Sequence, residues 1–68
     1  MKRDNLEEIH NSLINGQRRQ MVEQIDNYGL YDFWNDYQIH LTNLCPTANM
    51  AYHYFSDCVI SYHRITNR

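Results

Sequence analysis

The sequence is short of the residues that interrupt regular structure. It holds 2 Gly and 1 Pro in 68 residues, which excludes collagen-like repeats and long Gly- or Pro-rich linkers. Its 2 cysteines, Cys45 and Cys58, can close one bridge at most, too few for the disulfide framework of a small secreted domain. Neither lies in a CxxC pair or at a Cys/His metal spacing, and both are expected to be reduced thiols packed near the core. No apolar run approaches the roughly 18 residues that span a bilayer. Lys2 and Arg3 are not followed by the apolar stretch of a signal peptide. A cytoplasmic chain without a membrane partner is therefore expected. Excess positive charge is missing too. The net charge is -2 and the pI near 6.0, without the basic stripe that neutralises phosphates in nucleic-acid binders.

What is present fits one domain, residues 1–68. A chain this short buries only about 60% of its unfolded surface, so the core must be thin. Leu6, Ile9 and Leu13 recur at spacings of three and four, which predicts a helix over 4–14. Asp4 or Asn5 would cap it, Glu7 and Glu8 would sit in its first turn, and Asn15-Gly16 would stop it. Met21, Val22, Ile25 and Tyr28 predict a second helix over 17–28, ended by Gly29. Leu30, Phe33, Trp34, Tyr37, Leu41 and Leu44 predict a third over 30–44. Pro46 must then interrupt or start a helix. The last segment, 47–65, carries Ala48, Ala51, Tyr52, Phe55, Cys58, Val59 and Tyr62 at helical spacing. It also holds many strand-favouring residues, but the spacing fits a helix better than period-two alternation. The expected fold is all-α, a compact antiparallel bundle of three or four short helices.

Charge and aromatic rings are unevenly distributed. All 6 Lys and Arg lie outside the middle of the chain: Lys2, Arg3, Arg18 and Arg19 before it, Arg64 and Arg68 after it. Between Gln20 and His63 stand Glu23, Asp26, Asp32, Asp36 and Asp57, a formal charge of -5. Every Tyr, Phe and Trp also falls inside that stretch. Acids steer a basic partner toward a complex, and Tyr and Trp are favoured binding anchors. Most of these rings sit at core spacing, as a small interior requires, and acids on outer helix faces are ordinary solvated groups. Tyr31, Tyr54 and Tyr28 fall off the apolar stripes or at their edges. With Asp32 and Asp36 one turn apart beside them, and Asp57 next, they are the candidate partner-contact residues.

No catalytic or metal-ligating set emerges. His10, His40, His53 and His63 form no HxxxH or HExxH pair. His53 and Asp57 share a spacing of four, which reads as a surface hydrogen bond. No poised nucleophile, paired acid and base, or phosphate loop is recognisable, so no cofactor is expected and the chain reads as non-enzymatic. Gln17, Arg18, Arg19 and Gln20 form the one basic polar cluster, just after a helix-turn, where a helix-turn-helix protein would read DNA. The acids that follow make poor phosphate tracking, and direct nucleic-acid binding is disfavoured.

The stretch Ile14-Asn15-Gly16-Gln17-Arg18-Arg19-Gln20-Met21-Val22-Glu23-Gln24-Ile25, continued by Tyr28-Gly29-Leu30-Tyr31-Asp32-Phe33-Trp34, resembles small uncharacterised proteins of bacteriophages and other mobile elements. The resemblance covers about a third of the chain and brings no catalytic motif. It implies a context in which small proteins, anti-CRISPR and anti-restriction proteins among them, act by occupying a host protein's surface. A net charge of -2 is too mild for a whole-molecule DNA mimic, which leaves a local acidic and aromatic patch. The expected function is a non-enzymatic inhibitor that covers a basic, nucleic-acid-binding surface of a host protein or ribonucleoprotein complex. The alternatives are a small DNA-associated transcriptional regulator and a self-associating helical module, with a homodimer as its simplest form.

Overall fold

The computed structural model describes residues 2–67, and the side chains of residues 5–67. Among these, four helices run in sequence: α1 (Lys2–Ile14), α2 (Arg18–Tyr28), α3 (Leu30–Leu44) and α4 (Ala48–Thr66). The protein is thus an all-α bundle. Helix α1 ends where Asn15-Gly16 directs. Gly16 adopts a φ of 77°, its N–H donates to the Leu13 carbonyl, and the Gln17 N–H reaches back to Ser12 at 2.9 Å. This pair of reverse bonds satisfies carbonyls that the helix leaves open, and the left-handed residue they need is best supplied by glycine.

The connection from α2 to α3 is a single residue. Gly29 has a φ of 105°, donates its N–H to Ile25 and accepts from Phe33 at 2.8 Å. It ends one helix and starts the next, a conformation that a side-chain-bearing residue adopts only with strain. Pro46 lies in the turn before α4, where its missing N–H costs nothing. Thr47 caps α4, its hydroxyl accepting from the Met50 N–H at 3.2 Å.

The apolar stripes meet in one core. Leu6, Ile9 and Leu13 of α1, Met21, Val22, Ile25 and Tyr28 of α2, Phe33, Tyr37 and Leu41 of α3, and Cys58 and Tyr62 of α4 are all buried. Aromatic stacking binds α3 to α4: Trp34 meets Phe55 and Tyr62 edge-on at 5.8 and 5.7 Å. Ser12 of α1 donates to the Gln24 side chain of α2 at 2.8 Å. The radius of gyration, 11.0 Å, is what a closed domain of this length should have, about 11 Å.

The structure corrects several details. Helix α1 begins at Lys2, so Asn5 sits within it and not at its cap; the side chain of Asp4 lies outside those described. The carboxyl end of the third stripe is open, with Leu44 exposed. Ala48 and Tyr52 of the fourth stripe are also exposed, and Val59 is half-buried. The covered band of α4 is narrower than the spread of its apolar residues, centred on Cys58 and Tyr62.

Phe33→Ala should lower unfolding free energy by about 3–5 kcal/mol, most of the roughly 3–5 kcal/mol that a core this small supplies. Thr47→Ala should cost only about 1 kcal/mol, the worth of one cap. Urea titration followed by circular dichroism checks both.

Candidate functional site

The sharp turn at Gly29 sets the α2–α3 end of the bundle. It brings Tyr28, the last residue of α2, against the first turns of α3. The Tyr28 ring is buried edge-on to Phe33 at 5.9 Å, while its hydroxyl donates to Asp36 Oδ2 at 2.6 Å. Burial first, then the hydrogen bond to Asp36 and the charges of Asp36 and Asp32, push the Tyr28 phenol up to about 12. Asp32 stands exposed in the first turn of α3, where the positive end of the helix dipole favours a carboxylate. Tyr31 beside it is 88% exposed, the most exposed large hydrophobic side chain among the described residues.

Four of the six expected contact residues are thereby gathered at one end. Tyr31, Asp32 and Asp36 present polar atoms or an open ring. Tyr28 does not: its ring is in the core, a correction to its expected exposure, because the Gly29 turn folds it under α3. Its role is to hold Asp36. Tyr54 is also drawn inward, half-buried with its ring edge-on to His10 at 5.0 Å. Asp57 lies near the start of α2, 3.6 Å from the Arg18 guanidinium, and accepts from Ser61 at 3.3 Å. Arg18 and Tyr28 are the two ends of α2, on the order of 15 Å apart along its axis. Asp57 and Tyr54 therefore do not join the Tyr31–Asp32–Asp36 group. The partners of Asp57 are a serine and an arginine, not the His53 that its spacing suggests.

Of the basic cluster, Gln17, Arg19 and Gln20 are exposed and Arg18 is half-buried. Arg18 faces Asp57, and its Nη1 is shielded without a hydrogen-bond partner. One of the two arginines that would track phosphate is thus turned toward a carboxylate.

Two pairings have no signature in the local pattern. Tyr62 of α4 donates to Asp26 of α2 at 2.6 Å, and this bond is the main reason its phenol rises to about 12. The partners lie 36 residues apart. His10 of α1 is buried, its Nδ1 2.8 Å from the Tyr37 hydroxyl. Its spacing of four from Leu6, on the apolar stripe, is the available clue. The His40 ring lies edge-on at 6.2 Å. Burial, and then the nearby His40, lower the His10 pKa from its ordinary 6.5.

Cys58 is fully buried and its thiol is pushed up to about 12, mainly by burial, so it holds no thiolate to attack with at neutral pH. Among the described residues no three His, Cys, Asp or Glu side chains converge as metal ligands, and no helix is long and apolar enough to cross a membrane. No family of known proteins matches the chain, and neither a curated protein nor a solved structure does.

The buried histidine makes stability depend on pH. The unfolded chain binds a proton at His10 near the ordinary 6.5, whereas the folded chain resists it. Stability is full above that value and falls as pH drops through it and through the lowered native value. The groups facing His10 are Tyr37 and His40 from α3 and Tyr54 from α4. Urea midpoints measured between neutral pH and the onset of carboxylate titration should fall, and His10→Gln should flatten that fall. An unchanged slope in the variant would assign it to another group.

Proposed function

We propose that this protein is a non-enzymatic binding protein whose acidic α2–α3 end covers a basic surface of a partner. The observation that carries this reading is the pairing of a ring 88% exposed, Tyr31, with Asp32 beside it. A solvated tyrosine next to a carboxylate offers an apolar body, a hydroxyl and a steering charge in one place. Asp36, held by the Tyr28 hydroxyl, adds a carboxylate whose direction is set before binding, which reduces the ordering cost on association. No lysine or arginine occurs in the sequence between Gln20 and His63.

The partner class follows from that charge. A surface rich in Lys and Arg is the kind that grips nucleic acid, and a protein seated there excludes its ligand by bulk and by charge. With the resemblance to small phage and mobile-element proteins, this favours an inhibitor of a host defence complex of the anti-CRISPR or anti-restriction type. A DNA-reading role for Gln17, Arg18, Arg19 and Gln20 is less favoured, since Arg18 faces Asp57.

Tagged protein should retain a nucleic-acid-handling complex from a bacterial lysate that contains CRISPR and restriction systems. The purified complex should then bind its guide or duplex in competition with the protein. Asp32→Arg combined with Tyr31→Ala should weaken binding by at least about tenfold, near 1.4 kcal/mol, and moderate salt should release the complex. Both positions are exposed, so circular dichroism should show an intact fold. Binding that ignores both salt and the substitutions overturns the electrostatic reading. Salt-sensitive duplex binding lost in an Arg18/Arg19 double alanine variant would favour the regulator instead.

A further inference from the structure

The link between α1 and α2 sets an asparagine amide beside a glycine nitrogen. Asn15-Gly16 is the one Asn-Gly pair in the sequence, and every other asparagine precedes a residue with a side chain. Apart from Asn67, those asparagines lie within helices, whereas Asn15 falls between α1 and α2. Both residues of the pair are exposed. Beyond the chain neighbours, no atom lies within 4 Å of the place where a side chain on Gly16 would stand. Asn15 borders an open polar hollow of about 320 Å³, shared with Glu8, Gln17 and Gln24, so water reaches its amide. One bond restrains the glycine nitrogen. Its N–H donates to the Leu13 carbonyl at 3.2 Å, the long end of the usual range.

We infer that Asn15 is a site of spontaneous modification, which deamidates through a cyclic imide and adds a negative charge to this turn. In the first step the Gly16 nitrogen gives up its proton to solvent and bonds to Asn15 Cγ. The Cγ–Nδ2 bond breaks and ammonia leaves with a proton, closing a five-membered ring. Water then adds to either ring carbonyl. Opening at Cγ gives aspartate, and opening at the main-chain carbonyl gives isoaspartate, whose main chain runs through the former side chain. Nothing is oxidised or reduced. Glycine favours the closure, because it has no side chain to crowd the ring and its main chain turns freely. Inside a helix the following nitrogen is tied to a carbonyl one turn back, which protects the helical asparagines. The product changes the link in two ways. A carboxylate at the carboxyl end of α1 meets the negative end of the helix dipole and joins Glu8 beside the same hollow. Isoaspartate also lengthens the main chain by one carbon, which moves the Gly16 and Gln17 N–H groups off the Leu13 and Ser12 carbonyls. The hold of α1 on α2 is loosened, while the residues of the α2–α3 end are untouched, so this inference stands apart from the binding reading.

Purified protein held in mildly alkaline buffer at physiological temperature tests this, with the free peptide Ile-Asn-Gly-Gln as a clock. The expected result is one added negative charge per chain on ion exchange, with the mass gain of an amide-to-acid exchange located at Asn15 by fragmentation. The folded protein should react more slowly than the same protein in urea, since the bond to Leu13 must open first, yet faster there than at any other asparagine. Alkaline hydroxylamine, which attacks the imide, should cut the unaltered chain between Asn15 and Gly16. Asn15→Gln, whose longer arm would need a six-membered ring, should abolish both the charge gain and the cut, with helical content unchanged. The isoaspartate fraction should have a lower urea midpoint than fresh protein. A folded chain that keeps its charge over many half-lives of the peptide, a first gain at another asparagine, or a gain that persists in Asn15→Gln overturns the inference. An unchanged midpoint in the isoaspartate fraction overturns the loosening of α1.

Discussion

Tyr37 has no exposed surface yet carries a hydroxyl that must find a partner inside the protein. A buried hydroxyl without one costs on the order of 1–3 kcal/mol, a large share of what a core this small provides. His10, reaching in from α1, meets that need at 2.8 Å. The ring itself stacks on Phe33 at 4.8 Å within α3 and lies against Phe55 of α4 at 6.2 Å. One side chain thus fixes the spacing of α1, α3 and α4 about a common point. Burial of the phenol raises its pKa, which favours its neutral form. The weak point is His10, whose charged form burial and the nearby His40 disfavour.

The same device recurs at the surface with the polar end turned outward. Tyr28 and Tyr62 bury their rings and hand their hydroxyls to Asp36 and Asp26. Each pairing joins a core side chain to a carboxylate at the edge of the bundle. A hydrogen bond from a neutral phenol leaves the carboxylate its full charge while restricting its rotamers. Asp36 and Asp26 are therefore partly positioned by the core. A surface salt bridge such as Arg18–Asp57, with both side chains about half exposed, contributes far less of either energy or direction.

Helical periodicity carried most of the fold to the page. Leu6, Ile9, Leu13, Met21, Val22, Ile25, Phe33 and Leu41 are buried where three-and-four spacing puts them, and Gly16 and Gly29 turn the chain where glycine signals a stop. The strand-favouring residues of α4 yielded to its spacing, since a helix there covers Cys58 and Tyr62 in the core. Spacing was less informative at the edges of stripes. It does not say how much of a stripe a neighbouring helix covers, so Leu44 and Tyr52 stood among core candidates although both are exposed. Tyr28 erred in the other direction, because the depth of its ring depends on a one-residue turn. The pairings Tyr62–Asp26 and His10–Tyr37 join residues distant in sequence, and no local pattern encodes them.

Helix α3 carries two surfaces. Its fifteen residues extend about 22 Å at helical rise, with Asp32 and Asp36 toward one end and Gln38, Leu41 and Thr42 further along. Around its axis the two sets point differently, the carboxylates toward α2 and the other three toward an apolar groove against α4. A core filled with aromatic rings leaves the chain's carboxylates and its open apolar surface on the outside of the bundle. There, charge separates what each face can meet. An acidic face favours a basic surface, while an apolar face without charge has no such preference. The carboxylates and the apolar groove thus use different residues of one short helix.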